Sequence, residues 1–165
     1  MTVAVYAGTF DPITYGHIDI AVRASELFDK VIVAVAEETY KKNYFSLQER
    51  LYLIKQSFAA YDKIEVSTFP GLLVEYAKSQ KAQVIIRGLR AVSDFEMEFQ
   101  MAAMNRKLDA TIETVFLMAQ NQNLFISSSI IKKTFIAGGS VSGLVPPVVE
   151  DALQRKKQGK AVILN

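Results

Sequence analysis

Short runs rich in β-branched residues recur along the chain, at Val3 to Ala7, Val31 to Ala36, Ile64 to Thr68, Val84 to Ile86 and Thr114 to Met118. Each is almost continuously apolar, the pattern of a strand covered on both faces. Between them apolar positions return at helical spacing: Ile18, Ala21, Val22 and Ser25; Leu47, Leu51, Ile54 and Phe58; Leu73, Tyr76 and Ala77; Phe95, Phe99, Ala102 and Ala103. Two more helical stretches follow, near Ser129 to Ala137 and Val148 to Lys157. Strands alternating with helices predict a doubly wound, five-stranded parallel α/β sheet, because right-handed crossovers must cover both of its faces.

Local punctuation supports these boundaries. Ser46 and Glu49 match a capping box, and Pro70-Gly71 opens the third crossover. The Gly138-Gly139-Ser140 turn and the Pro146-Pro147 pair interrupt the last third without a shift in composition. The expectation is one Rossmann-like α/β domain over residues 1–165 with extra C-terminal helices.

Composition narrows the function. With 165 residues, half of them hydrophobic and 22% charged, the chain can bury a core without disulfides or a structural metal. A net charge of +2 supplies no broad field for wrapping nucleic acid, so any anion site must be local. Absence of cysteine excludes thiolate catalysis and fits a reducing cytoplasm. No basic leader precedes Val3, and no apolar run approaches the roughly 18 residues of a membrane span, so a cytoplasmic protein is expected. The single histidine, His17, rules out a histidine zinc site. A divalent metal is therefore expected to arrive with a phosphate ligand, with no metal ligands from protein side chains. The basic run Arg155-Lys156-Lys157 with Lys160 reads as a solvated helix end.

Candidate chemistry begins where the first strand ends. Gly8-Thr9-Phe10-Asp11-Pro12 leads into Thr14-Tyr15-Gly16-His17, a tight loop from strand edge to helix start. Glycine permits close backbone approach and the helix start offers amide donors, so this is a phosphate-binding position. It is neither a Walker A loop nor a Gly-x-Gly-x-x-Gly fingerprint. From its place at the positive end of the helix, His17 could donate to a phosphate oxygen; taken alone, a single histidine is more often a helix-start or packing residue.

The fourth strand runs into Arg87-Gly88-Leu89-Arg90, whose guanidiniums suit phosphate oxygens. In the strand order 3-2-1-4-5, strands 1 and 4 are neighbours at the switch point, so both motifs converge on one crevice. Surface arginines paired with Asp94 and Glu96 are the alternative. Lys41-Lys42 follow the second strand, where one of them could reach the crevice or simply lie solvated. Ser127-Ser128-Ser129 read as a helix cap that can also bind phosphate. Asp11 and Glu98 are carboxylates in reach, but a phosphate nucleophile needs little deprotonation, and neither is assigned as a base.

The Thr14-x-Gly16-His17 element after Gly8-Thr9-Phe10-Asp11-Pro12 resembles the T/H-x-G-H signature of the nucleotidylyltransferase superfamily. With Ile85 to Arg90, Asp94-Phe95-Glu96 and Phe125 to Ser129 added, the whole chain resembles the bacterial phosphopantetheine adenylyltransferases. That resemblance implies transfer of the adenylyl group of ATP to 4'-phosphopantetheine with magnesium, giving dephospho-coenzyme A and pyrophosphate. It implies ATP contacts from Thr9, Phe10, His17, Gly88, Leu89, Arg90, Glu98, Asn123, Leu124, Phe125, Ile126, Ser127, Ser128 and Ser129. For phosphopantetheine it implies Thr9, Lys41, Leu73 and Arg87, and for catalysis His17, Lys41 and Arg90. A homohexamer and feedback inhibition by coenzyme A are further implications. Met97 and Asn123 depart from the aromatics common in such chains. The rivals are a small nucleotidylyltransferase with another phosphorylated acceptor, such as nicotinamide mononucleotide, and a non-catalytic nucleotide-binding regulator.

Overall fold

The structure, a computed structural model, describes residues 1–40, 42–90 and 92–163, with the side chains at 92–94 and 121 left aside. The elements alternate as the pattern predicts: β1 (Val3–Gly8), α1 (Tyr15–Leu27), β2 (Lys30–Ala36), α2 (Leu47–Ser57), β3 (Ile64–Phe69), α3 (Leu73–Ser79), β4 (Val84–Leu89), α4 (Val92–Leu108) and β5 (Glu113–Met118). A short 3-10 turn, Asn121–Asn123, precedes α5 (Ser128–Ile136) and α6 (Pro147–Lys157). The strands form one parallel sheet in the order β3-β2-β1-β4-β5. The order reverses between β1 and β4, which pair directly from Ala4–Val84 to Tyr6–Ile86. This is the Rossmann-like arrangement, and it opens a crevice at the carboxyl ends of those two strands.

The central strands β1 and β2 are buried on both faces, and two apolar clusters follow from their alternation. Ala4, Tyr6, Val31, Val33 and Val35 face α1, α2, α5 and α6; Val3, Val5, Ala7, Ile32 and Ala34 face α3. Edge strands differ from the continuous burial expected of them: β5 is half-buried from Thr114 to Leu117. A strand at an edge has one neighbour and less cover, whatever its composition.

The helical stripes of α1 to α3 lie in or against the core as read off the sequence, with the most buried positions of α1 shifted by a residue or two. On α1 the buried positions are Ile20, Ala21 and Ala24, with Ile18 and Val22 flanking the core. On α2 the expected Ile54 and Phe58 are buried and Leu47 and Leu51 pack against the core, with Arg50 and Leu53 buried beside them. The expected face of α4 is not covered: Phe95 and Phe99 are 45% and 58% exposed, and Met97, Met101 and Met104 also face outward. This helix carries apolar side chains all round, more than one sheet edge can cover. No helix among the described residues is long and apolar enough to cross a membrane.

Candidate active site

The segment joining β1 to α1 is built around a cap. Thr14 is the N-cap of α1, its Oγ1 accepting from the His17 amide at 3.4 Å, while its own amide donates to His17 Nδ1 at 3.1 Å. His17 therefore fills the place that glutamate or glutamine takes in an ordinary capping box. A backbone amide can only donate, so Nδ1 is the bare nitrogen, and the proton of the neutral ring sits on Nε2. Thr14 Oγ1 lies 3.1 Å from the same Nδ1 and reinforces that tautomer. Burial, then the charges of Arg90 and Arg87, lower the pKa of His17 from 6.5 to about 3. The ring is a neutral hydrogen-bond donor in a positive field.

Packing holds the ring in place. Phe10 stacks edge-on to His17 at 5.1 Å and to Tyr6 at 5.4 Å. Glycine at position 8 leaves room for the Phe10 ring, since a Cβ there would lie 3.0 Å from it and Phe10 would have to give way. At Gly16 an added Cβ would meet protein only at ordinary contact, 3.5 Å or more, so protein packing does not demand the residue. Asp11 turns away from catalysis. Its carboxylate accepts from the amides of Tyr44 (2.7 Å) and Phe45 (2.8 Å) and pairs with Lys132 at 2.8 Å. Beneath the loop Arg50, absent from the sequence reading, donates to the carbonyls of Thr9 and Ala36.

Across the switch point, Arg87 is held by Glu98 of α4. Nε and Nη2 donate to the two carboxylate oxygens at 2.5 and 2.6 Å, and Nη1 donates to the Ala7 carbonyl at 2.8 Å. Burial opposes the charge on Arg87, but the hydrogen bonds and charge of Glu98 outweigh it and raise its pKa. The expected alternative partner Glu96 is exposed instead. Arg90 donates to the Ile126 carbonyl at 3.2 Å, joining the end of β4 to the segment before α5. Ser127 is the N-cap of α5, accepting from the Ile130 amide at 3.1 Å, as its sequence position suggests. Ser128 Oγ donates to the Pro12 carbonyl at 2.7 Å and pins α5 to the β1–α1 loop.

These elements enclose a cavity of about 700 Å³, within the range of ligand pockets of roughly 300–1,000 Å³. Of the residues inferred from the sequence, Thr9, Phe10, His17, Arg87, Gly88, Arg90, Glu98, Ile126, Ser128 and Ser129 line it. Leu89, Leu124, Phe125 and Ser127 do not; they flank it on the same two segments. Asn123 is buried behind Gly16 and borders a separate groove, whereas Met97 lines the cavity. Leu73 packs half-buried beside Val74 and Ala77, away from the cavity lining. Lys41 lies outside the described residues, and its neighbour Lys42 lines the cavity. Sequence reasoning missed Tyr6, Ile20 and Lys132. Lys132 carried a signal, since it stands one helical turn beyond the serines. Tyr6 and Ile20 look like any core residues in a string of letters.

Residues 5–134 match the cytidylyltransferase-like family. The chain is 52% identical over 158 residues to the phosphopantetheine adenylyltransferase of Carboxydothermus hydrogenoformans, covering 96% of this chain and 98% of that one. It is 53% identical over 156 residues to the phosphopantetheine adenylyltransferase of Moorella thermoacetica, covering 94% and 98%. Its fold is similar to that of the lipopolysaccharide core biosynthesis protein of Thermoplasma volcanium, with a TM-score of 0.56 at 22% identity over 73% of this chain and 99% of that one. That last likeness speaks to architecture alone. With a matching family over most of its length and half its residues shared with full-length relatives, the chain belongs to the cytidylyltransferase-like family and, within it, to the phosphopantetheine adenylyltransferases.

Proposed function

We infer that this phosphopantetheine adenylyltransferase carries out its reaction in the cavity at the carboxyl edge of β1 and β4. An oxygen of the phosphopantetheine 4'-phosphate attacks the α-phosphorus of ATP in line. The bond from that phosphorus to the bridging oxygen breaks, pyrophosphate leaves, and dephospho-coenzyme A remains, with no covalent enzyme intermediate. The observation that carries this reading is His17, a neutral ring whose Nε2–H is the only ring donor left for a ligand. A preorganised donor of this kind stabilises charge developing at a phosphoryl oxygen without waiting for a proton.

Both reactants are anions, so the protein's work is positioning and neutralisation. Thr9, Phe10, His17, Gly88, Arg90, Ser128 and Ser129 are assigned to ATP, together with the flanking Leu89 and Asn123 to Ser127 and with Glu98. Arg87, Lys41, Leu73 and Thr9 are assigned to phosphopantetheine by resemblance to the family. Magnesium fits this site as a companion of the triphosphate. Of the carboxylates lining the cavity, Asp11 and Glu98 are engaged by Lys132 and Arg87 and Glu38 is exposed, and no group of three potential ligands occurs among the described residues. When bound, the ion neutralises phosphate charge.

Incubation with ATP, magnesium and each acceptor in turn, following pyrophosphate, tests the reading. Release with phosphopantetheine alone is expected; release with nicotinamide mononucleotide, or with no acceptor, would overturn it. Coenzyme A contains the phosphopantetheine group and is assigned to the same cavity as an inhibitor, which competition against phosphopantetheine would reveal. A homohexamer is assigned by resemblance to the family alone; the exposed apolar side chains of α4 support self-association without fixing its number, and sedimentation of a stable monomer would refute it.

A further inference from the structure

Arg50 is 1% exposed, yet among the described residues no carboxylate hydrogen-bonds its guanidinium. Nη1 donates to the carbonyls of Thr9 at 2.8 Å and Ala36 at 3.0 Å, and Nε is buried without a partner. Burial lowers its pKa, with only the charge of Asp11 opposing. Leucine or methionine would fill the space without such desolvation, so the charge serves the backbone it grips.

The peptide joining Thr9 to Phe10 is that backbone. In a trans peptide the N–H points opposite to the preceding carbonyl. Thr9 and Phe10 line the cavity and Arg50 does not, so the carbonyl drawn toward Arg50 turns the Phe10 amide to the cavity side. That amide has no hydrogen-bond partner among the described residues, although Phe10 is 3% exposed. Phe10 also adopts φ +49°, a region that a bulky side chain avoids unless its surroundings impose it. With the peptide turned the other way, the Thr9 carbonyl would face the phosphates and repel them.

We propose that Arg50 is a positioning residue of the phosphate loop: by holding the Thr9 carbonyl under α2 it presents the Phe10 amide as a donor to a phosphoryl group of ATP. The proposal rests on the adenylyl-transfer reading above. Arg50 thereby acts on the phosphate part of the nucleotide and leaves the nucleoside part alone.

Calorimetric titration of Arg50→Met and Arg50→Lys with ATP, magnesium pyrophosphate and adenosine separates these parts. In Arg50→Met the affinities for ATP and pyrophosphate fall at least about tenfold, the worth of one hydrogen bond to a charged group, while adenosine affinity holds. KM for ATP rises and KM for phosphopantetheine does not, and Arg50→Lys recovers most of the loss. Unchanged pyrophosphate affinity in folded Arg50→Met, or an equal loss for adenosine, overturns the proposal. If Arg50→Met does not fold, the wild-type Phe10 amide resonance decides. It shifts downfield on addition of pyrophosphate, and an unmoved resonance refutes the role. A wild-type protein that shows this shift yet releases no pyrophosphate with phosphopantetheine would refute the functional reading and leave this one standing.

Discussion

Because the chain contains a single histidine, an acid titration can follow one identifiable ring of the active site. The pKa of His17 falls from 6.5 to about 3, first through burial and then through Arg90 and Arg87. At 1.36 kcal/mol per unit this favours the neutral ring by about 5 kcal/mol. The edge of the ring facing the cavity is wetted, so about half that figure is the working expectation. Because the folded value lies below the unfolded one, the unfolded chain takes up the extra proton first as pH drops. The stability that His17 contributes is complete above pH 6.5 and is lost progressively as pH falls toward about 3. Long-range proton–nitrogen correlation of the imidazole, from about pH 8 to about pH 4.5, reads tautomer and titration together. An unprotonated Nδ1 and a protonated Nε2 are expected throughout, with Tm declining in the acid half of the range. Turnover should show no inflection from this ring near neutrality. A ring that titrates close to 6.5, or carries its proton on Nδ1, would refute the reasoning.

Further substitutions bear on the same site. His17→Ala should fold and bind ATP but lose at least about a hundredfold in turnover; His17→Gln, whose amide reaches the Nε2 position, should retain more than His17→Asn, and a reversed order in steady-state kinetics would contradict the assigned tautomer. Asp11→Asn leaves Lys132 unpaired and opposes an amide to the Tyr44 and Phe45 donors. A loss of about 3 kcal/mol is expected, seen as a Tm lower by about 6–12 °C, and an unchanged melting curve would argue against the buried pairing. Gly8→Ala forces the Phe10 ring away from a Cβ at 3.0 Å and thereby loosens its contact with His17. Its expected cost is about 1–3 kcal/mol with reduced turnover, measured by denaturant unfolding and pyrophosphate release.

What the sequence disclosed was whatever repeats or sits at a fixed offset. The alternation of β-branched runs with helical spacing carried the sheet, and taking the doubly wound order 3-2-1-4-5 for it brought Gly8 to His17 together with Arg87 to Arg90. The Ser46–Glu49 cap was legible for the same reason. Pairings across long separations were not. Nothing local says that Glu98 grips Arg87 from α4, or that the carboxylate of Asp11 belongs to Lys132. Arg50 was illegible because periodicity assigns a charged residue to solvent, while here the helix turns it under the phosphate loop. The Thr14–His17 cap was readable in principle, but capping boxes are sought with glutamate or glutamine at the third position. On α4 the apolar face was recognised, and what it lacks within one chain is enough surface to cover it.

Asp11 stands near the start of the chain, while its partners lie 33, 34 and 121 residues further on. During synthesis its carboxylate and the loop around it must therefore wait for Lys132, which emerges only after every strand of the sheet has been made. The residues of the sheet are therefore all made before the last residues of the site are. A nascent or truncated chain ending at β5 would hold all the strands and yet leave Asp11 without the Lys132 charge and the β1–α1 loop without its α5 anchor. Nucleotide binding thus reports that the chain has been made through α5, and ATP can stabilise only a chain that has reached that helix.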